Sequence, residues 1–400
     1  MGSKGLTPSM EIVLTAEKPA AGGRMLARHE GQVVFVAGAI PGERVKARVD
    51  RVTRQLAFAE VVDVLEPSPD RRASAVDIAC GGSVYAHIAY ARQLTLKSEL
   101  LTDAFARIAK LNLGTPTPVM ASREDGYRLR ARLHIRNGRF GFFREGTHDL
   151  CDAAATAQLL PDSLDALKRL QAKVPEFNSA FSCELLENIP ADERAIQIEF
   201  AQSPAVIHGG PKVTDRLAIA GGSVTLTHDV RSFFQSNRYL LAAFAERVVA
   251  QIPDGGVIDL YAGVGLFAVS LAALGRAGIV AIEGDRYSAA DLESNARPYG
   301  DAVSVRRASV EEYLGLSSVR SPSTIVMDPP RTGISTEAMS GILALKPHRA
   351  VYVSCDVATL ARDARRLVEA GYQLTHLEAF DLFPNTAHVE TLAVFSRLGT

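Results

Sequence analysis

The stretch Val257-Ile258-Asp259-Leu260-Tyr261-Ala262-Gly263-Val264-Gly265-Leu266 reads as a short apolar strand that turns through two glycines into a helix. Glycine permits a tight turn with its backbone close against a ligand. Glu283 lies twenty residues beyond Gly263 and ends the next strand candidate, where a carboxylate can hold two ribose hydroxyls. Gly263-Val-Gly265-Leu-Phe-Ala268 also satisfies the dinucleotide fingerprint. A dehydrogenase therefore stays open here, as does a plain strand-to-helix turn.

Working outward, strand candidates at Gly278–Glu283, Val303–Arg306, Thr324–Asp328 and Ala350–Ser354 alternate with helical segments. Gln373–Phe383 and His388–Arg397 read as two strands joined by a tight turn. The pattern predicts an α/β domain over 229–400, a parallel sheet covered on both faces and closed by an antiparallel C-terminal hairpin. Toward the N-terminus, Glu11–Leu14, Gln32–Val36, Arg44–Asp50 and Leu56–Leu65 are short strands punctuated by glycines. They predict a five-strand, OB-like barrel over 10–66, with Pro67-Ser68-Pro69 as a linker. Residues 73–228 are expected to form a central α+β domain whose helix near Ala91–Lys110 packs on the C-terminal α/β domain. Three domains suit a chain of 400 residues.

Composition narrows the class. With 47% hydrophobic and 22% charged residues the chain folds rather than staying disordered. No run of about 18 apolar residues offers a membrane span, and Met1 to Met10 lacks the apolar core of a signal peptide. Four scattered cysteines fit a reduced, cytoplasmic protein better than a disulfide framework, and we expect a monomer. A net charge of −1 does not exclude nucleic acid, since a local basic face suffices.

Three further stretches carry chemistry. Asp328-Pro329-Pro330-Arg331 ends one strand, placing Asp328 beside a nucleotide ligand and a stiff Pro-Pro backbone beside a flat base. Ser354-Cys355-Asp356 ends the next strand just before a helix, where the positive helix end is expected to favour a thiolate. His388-Val389-Glu390 opens the final strand and offers a carboxylate for proton removal. Each has a plainer reading: a strand stop, a buried filler, a solvated edge. Phe233-Phe234-Gln235-Ser236-Asn237 precedes a helix that Ser236 or Asn237 can cap, and Gln235 offers an amide beside the nucleotide loop.

Taken in order, Phe234-Gln235-x-Asn237, Asp259-Leu-Tyr-Ala-Gly-Val-Gly265, Asp328-Pro-Pro-Arg-x-Gly333, Ser354-Cys-Asp-x-Ala-Thr-Leu-Ala-Arg-Asp363 and Asp381-Leu-Phe-Pro-x-Thr-x-His-Val-Glu390 resemble the RNA (uracil-5-)-methyltransferase family. The resemblance implies a Rossmann-like class I methyltransferase domain that uses S-adenosylmethionine. It implies Cys355 as the nucleophile toward carbon 6 of uracil and Glu390 as the base that removes the carbon-5 proton. Gln235, Tyr261, Gly263, Gly265, Glu283 and Asp328 match cofactor-contacting positions. Val357 and Leu266 depart from the usual Pro and Asn. Covalent addition splits one hard step into easier ones, and the target base must leave its stack to be reached.

The N-terminal barrel resembles the TRAM RNA-binding domain, whose bearers in this family tend to act on 23S ribosomal RNA; a transfer-RNA substrate is the alternative. Residues 127–144 hold six arginines and no acid, and strand alternation puts Arg128, Arg130 and Arg132 on one face, with Asn137-Gly138 as a hairpin turn. These three and Arg331 are the expected RNA contacts. Relatives often carry four cysteines for an iron–sulfur cluster. Here Ser74 and Ser83 stand at two of those places, so Cys80 and Cys151 are expected to be remnants and no cluster to form. A dehydrogenase has no use for Cys355 or Glu390, and their presence also argues against a catalytically silent RNA-binding protein.

Overall fold

The computed structural model describes residues 6–137, 139–173, 180–200 and 204–397. Strands β1 (Glu11–Pro19), β2 (Met25–His29), β3 (Gln32–Ala37), β4 (Arg44–Val52) and β5 (Leu56–Glu66) close into a barrel in the order β1-β2-β3-β5-β4. Strict alternation builds its core: Ile12, Leu14 and Ala16 of β1 point inward with Met25, Ala27, Val34, Val36, Val45 and Ala47. The sequence reading named four of these strands and missed β2.

Helix α1 (Tyr90–Ala104) follows, continuing through a wider turn at Phe105–Ala109 that ends on Lys110 in the left-handed region. The helix is shared between two cores. Leu96 packs into the barrel cluster beside Tyr85 and Ile88, whereas Leu101, Ala104 and Phe105 pack among Ile258, Met327 and Tyr352 of the C-terminal domain. Strand β6 (Val119–Met120) then joins the edge of the C-terminal sheet.

Strands β7 (Arg130–Arg136), β8 (Arg139–Phe143) and β9 (Leu150–Asp152), helix α2 (Pro161–Lys173), and strands β10 (Ala180–Glu187), β11 (Arg194–Phe200) and β12 (Pro204–His208) make the central unit, a six-stranded antiparallel sheet. Gly138 of the expected Asn137-Gly138 turn lies outside the described residues; Arg136 and Arg139 on either side are paired. The hairpin β13 (Lys212–Ile219) and β14 (Gly222–Asp229) is a separate ribbon. Its Leu217, Ile219, Val224 and Leu226 share one core with Phe244, Phe267 and Leu292 of the C-terminal domain. The boundary near 228 drawn from the sequence therefore cuts through a packed unit. Alternation in β13 and β14 looks the same whichever domain the buried face meets.

The C-terminal domain runs α3 (Leu241–Ala250), β15 (Val257–Leu260), α4 (Leu266–Ala273), β16 (Ile279–Glu283), α5 (Arg286–Ala296), β17 (Val303–Arg307), α6 (Val310–Leu314), β18 (Thr324–Met327), α7 (Thr336–Leu345), β19 (Arg349–Ser354), α8 (Val357–Glu369), β20 (Tyr372–Phe380) and β21 (Glu390–Arg397). Its eight-stranded sheet has the order β17-β16-β15-β18-β19-β21-β20-β6. Strands β15 to β19 are parallel, and β21 pairs antiparallel with β19 and β20. Every residue of β15 and β18 is buried, as expected of strands covered on both faces. The turn expected between the last strands is instead a longer loop, 381–389, rising from the Phe380–Glu390 pair. Among the described residues no helix is long and apolar enough to cross a membrane.

Candidate active site

The chain leaves β15 for β16 and β17 on one side, then returns to β18 and β19 on the other. The strand order thus reverses between β15 and β18, and a crevice opens at their carboxyl ends. Tyr261 to Gly265 follow β15, Glu283 closes β16, Asp328 to Arg331 follow β18, and Cys355 follows β19. All but Gly265, whose tight turn carries the loop into α4, line one cavity of about 660 Å³ that also takes in Phe233, Gln235, Phe383 and Glu390. Tyr261 holds φ at +61°, a strained value for an aromatic residue, in the turn that carries the loop around the cavity. Gly265 at φ +99° has no room for a β-carbon, which would sit 2.7 Å from Val269 Cγ2.

Hydrogen bonds pre-set the cavity wall. Glu283 accepts from the Gly263 N–H at 2.8 Å and the Asp285 N–H at 2.7 Å, fixing its carboxylate between two turns. Gln235 Nε2 donates to Asp328 Oδ2 at 3.2 Å. Asn237 Oδ1 accepts from the Tyr239 and Leu240 N–H groups and so braces the turn before α3, whose N-cap is Leu240 with no side-chain cap rather than Ser236 or Asn237, while its Nδ2 donates to the Leu382 carbonyl at 3.0 Å.

Electrostatics at Cys355 differ from the sequence expectation. Burial pushes the thiol up to about 12; the Glu390 and Asp328 charges add to this, and Arg331 opposes it by charge and hydrogen bond. The helix end does not rescue the thiolate, because Asp356 caps α8, accepting from Ala358 N and Thr359 N at 3.1 and 2.8 Å. Arg331, one of the expected RNA contacts, is also the cation that acts on the thiol. Burial also raises Asp328 to about 7 and Glu390 well above the carboxylate range, with Asp328's charge adding to the Glu390 shift. Glu390 is buried rather than solvated at a strand edge. Asp259 Oδ2 accepts from the Ala268 N–H and its Oδ1 has no partner, and burial lifts this carboxyl to about 8.

These raised carboxyls fix the sign of a pH dependence. A group bound more tightly to its proton in the folded chain stabilises the fold below its unfolded value, and that stability is lost as pH rises through the folded value. The stability contributed by Asp328 and Asp259 is expected to fall as pH climbs from about 4 toward 8, opposed up to pH 6.5 by His87 and His388, which burial holds down at about 4. Calorimetry on the ligand-free protein checks the carboxyl share: Asp259→Asn is expected to gain melting temperature relative to wild type as pH rises across the window, and an equal pH slope in the two proteins contradicts it.

A second cavity of about 760 Å³ lies between the barrel, the central sheet and the catalytic strands. Lys18, Leu26 and Phe35 of the barrel face it, with Arg128, His134 and Phe143 opposite; Cys355, Arg331 and Phe383 line both cavities. His134 stacks on Phe143 with ring centroids 3.5 Å apart, an aromatic ledge beside the arginines. The arginine face is less free than its sequence suggests. Arg130 and Arg132 both reach Glu184 on β10, at 3.2 and 3.5 Å, and Arg128 donates to Gln158 Oε1 and the Arg130 carbonyl. Glu184 comes from a neighbouring strand, which the run 127–144 alone cannot reveal. Arg130 lines the first cavity and Arg128 the second.

Cys80 and Cys151 are joined in a disulfide with Cα atoms 5.9 Å apart, a correction to the reading of all four cysteines as reduced. As cluster remnants the two are expected to lie near each other, and the β8–β9 ladder and the Cys80–Arg144 bridge bring them together across a sequence separation of 71. Among the described residues no group of three or more His, Cys, Asp or Glu side chains is arranged to hold a metal.

Comparison with known proteins settles the lineage. Residues 195–398 match the family model described as tRNA (Uracil-5-)-methyltransferase, and residues 10–62 match the TRAM domain. The chain belongs to the RNA (uracil-5-)-methyltransferase family. This uracil-5 methyltransferase is 32% identical to an uncharacterised RNA methyltransferase of Corynebacterium efficiens, over 98% of this chain and 96% of that one. It is likewise 32% identical to the 23S rRNA (uracil(1939)-C(5))-methyltransferase RlmD of Pseudomonas putida, over 96% and 93% of the two chains. Among solved structures it is similar to the Pyrococcus abyssi tRNA (uracil-54, C5)-methyltransferase in complex with S-adenosyl-L-homocysteine. That likeness has a TM-score of 0.76 at 22% identity over 96% of this chain and 99% of that one, and at such identity it speaks for the fold.

The first cavity fits S-adenosylmethionine, the cofactor of the methyltransferase. Glu283 offers a carboxylate for ribose hydroxyls and Gln235 and Asp328 offer polar atoms at the far wall, while Leu266, Phe267 and Pro329 supply apolar surface for a flat base. Glu283→Ala is expected to weaken cofactor binding by roughly 10- to 150-fold, the worth of hydrogen bonds to a charged group. Titration calorimetry with S-adenosylhomocysteine reads this directly, and unchanged affinity removes Glu283 from the site.

Proposed function

We propose that the chain methylates carbon 5 of a uridine in 23S ribosomal RNA, with Cys355 as nucleophile and Glu390 as base. One observation carries the reading: the cofactor cavity and the interdomain cleft meet at Cys355, Arg331 and Phe383. A cysteine there can touch a base entering from one side while a methyl donor waits on the other.

Cys355 Sγ, as thiolate, bonds to carbon 6 of the flipped uracil, and the ring's electron pair moves toward the carbon-4 carbonyl. Arg331 favours the thiolate, and protonation of Asp328 removes one of the two negative charges that oppose it. S-adenosylmethionine, when bound, would supply an electrophilic methyl group for carbon 5, the S–CH3 electron pair staying on the S-adenosylhomocysteine that is released. Glu390, ionised, then removes the carbon-5 proton; the electron pair reforms the ring double bond and expels Cys355 as thiolate. A carboxyl with a raised proton affinity is well matched to that removal. His388, which burial holds down at about 4, lines the cleft as a neutral imidazole.

Ribosomal RNA is favoured by sequence likeness. The relatives named as 23S rRNA enzymes, from Pseudomonas putida and Aeromonas salmonicida, are 32% and 30% identical over more than nine-tenths of both chains, whereas the solved tRNA enzyme is 22% identical. Arg128, the His134–Phe143 ledge and the barrel side chains form the wall along which flanking nucleotides would run. The test is methylation of unmodified 23S ribosomal RNA against unmodified transfer RNA, followed by mapping of the modified base. Product confined to transfer RNA overturns the substrate assignment and leaves the chemistry standing.

A further inference from the structure

Three side chains of α1 reach across to the 381–389 loop, which leaves the sheet after Phe380 and re-enters it at Glu390. Lys97 Nζ donates to Asp381 Oδ1 and, at 3.0 Å, to the Phe383 carbonyl. Tyr90 Oη donates to Asp381 Oδ2 at 2.9 Å while accepting from the Ser122 N–H at 2.8 Å. Gln93 Nε2 donates to Asn385 Oδ1 at 2.9 Å, and the Asn385 N–H returns a bond to Gln93 Oε1 at 3.0 Å. Asn385 sits at φ +62°, the left-handed region, so this exchange holds the loop where it turns back. Tyr90, Gln93 and Lys97 recur at i, i+3 and i+7 and so share one helical face.

Lys97 and Asp381 are both wholly buried. Removing a lysine and a carboxylate from water costs more than burying apolar groups of the same shape, so such a pair is a poor device for stability alone. What it supplies here is direction. The ammonium fixes a carboxylate at the root of the loop and a carbonyl two residues on, next to Phe383, whose side chain lines both cavities. From the opposite side Asn237 Nδ2 holds the Leu382 carbonyl, so the root is gripped twice.

We propose that Lys97 and Asp381 are positioning residues: their ion pair sets the 381–389 loop and, through the Phe380–Glu390 strand pair, the place of Glu390 and Phe383 against the uracil. The inference rests on the proposed reading of Glu390 as the base. It also gives α1 a reason to belong to two cores, since the helix ties the barrel to the catalytic loop.

Lys97→Met alone leaves Asp381 buried without a partner and lowers stability under any reading. The decisive variant is the double substitution Lys97→Met/Asp381→Leu, which replaces both charges with apolar groups. It is expected to melt near the wild-type temperature and to bind RNA with unchanged KM. Its kcat is expected to fall on the order of 10²-fold, the usual effect of displacing a catalytic group by about 1 Å. The covalent protein–RNA adduct should build up during turnover, because release of carbon 6 waits on Glu390. A folded double variant with wild-type kcat, a loss confined to KM, or a slower kcat without adduct overturns the inference. If the double variant does not fold, Tyr90→Phe removes the hydroxyl that joins Asp381 to the Ser122 N–H and leaves the Lys97 pair in place; slowed release supports the inference and unchanged kcat overturns it. Wild-type protein and Glu390→Gln run alongside: failure of these controls counts against the reading of Glu390, and failure of the Lys97 and Tyr90 variants counts against the inference alone.

Discussion

Cys355→Ala is expected to abolish methyl transfer, with kcat falling at least about 10³-fold, because the only route to a nucleophilic carbon 5 begins with its sulfur. Cys355 is half-buried and stands outside the hydrophobic clusters, so the truncation leaves the fold intact, with a stability change of about 1 kcal/mol or less. Cofactor binding is expected to persist, since Glu283, Gln235 and Asp328 are untouched. Incorporation of labelled methyl groups into RNA, read beside melting and S-adenosylhomocysteine titration, separates lost chemistry from lost structure. Wild-type turnover by a folded Cys355→Ala protein excludes the mechanism.

Glu390→Gln is expected to stall the reaction one step later. Glutamine keeps the shape of the protonated carboxyl, the form that burial favours at Glu390, so the fold is preserved. Addition to carbon 6 and methyl transfer do not need this base, whereas loss of the carbon-5 proton does. Turnover should fall about 10²- to 10⁴-fold, the usual worth of a general base, while a protein–RNA species that survives denaturing electrophoresis accumulates. Slow turnover without that species assigns proton removal to another group.

Much of the site was legible in the sequence because its parts sit at strand ends. An apolar run that stops at Gly263, Glu283, Asp328 or Cys355 places each at the carboxyl edge of a parallel sheet, and the structure brings all four into one cavity. Legibility failed where the partner came from elsewhere in the chain. The helix start after Cys355 looked like an activating charge, yet the next residue, Asp356, already caps it. Arg130 and Arg132 looked free because Glu184 lies on another strand.

Lys97 shows the limit most plainly. Its carboxylate partner is 284 residues away, and within α1 its position gives no sign that the ammonium is fully buried. The same holds for Arg72, which joins Glu124 to Asn385 of the catalytic loop across 313 residues. Local pattern fixes periodicity and strand ends; it does not reveal which distant element completes a buried charge. The hairpin at 212–229 leaves no mark of its domain in the sequence for a related reason, since its alternation is blind to the core it meets.

The most direct test of the central claim is trapping with RNA that carries 5-fluorouridine at the target position. Fluorine on carbon 5 cannot leave as a proton, so the reaction should halt after methylation with Cys355 bonded to carbon 6. The account predicts a stable one-to-one protein–RNA adduct that carries one added methyl group, maps to Cys355, and is absent from Cys355→Ala. Methylation of ordinary uridine RNA with no adduct on the fluorinated RNA, or an adduct mapped to another residue, contradicts it.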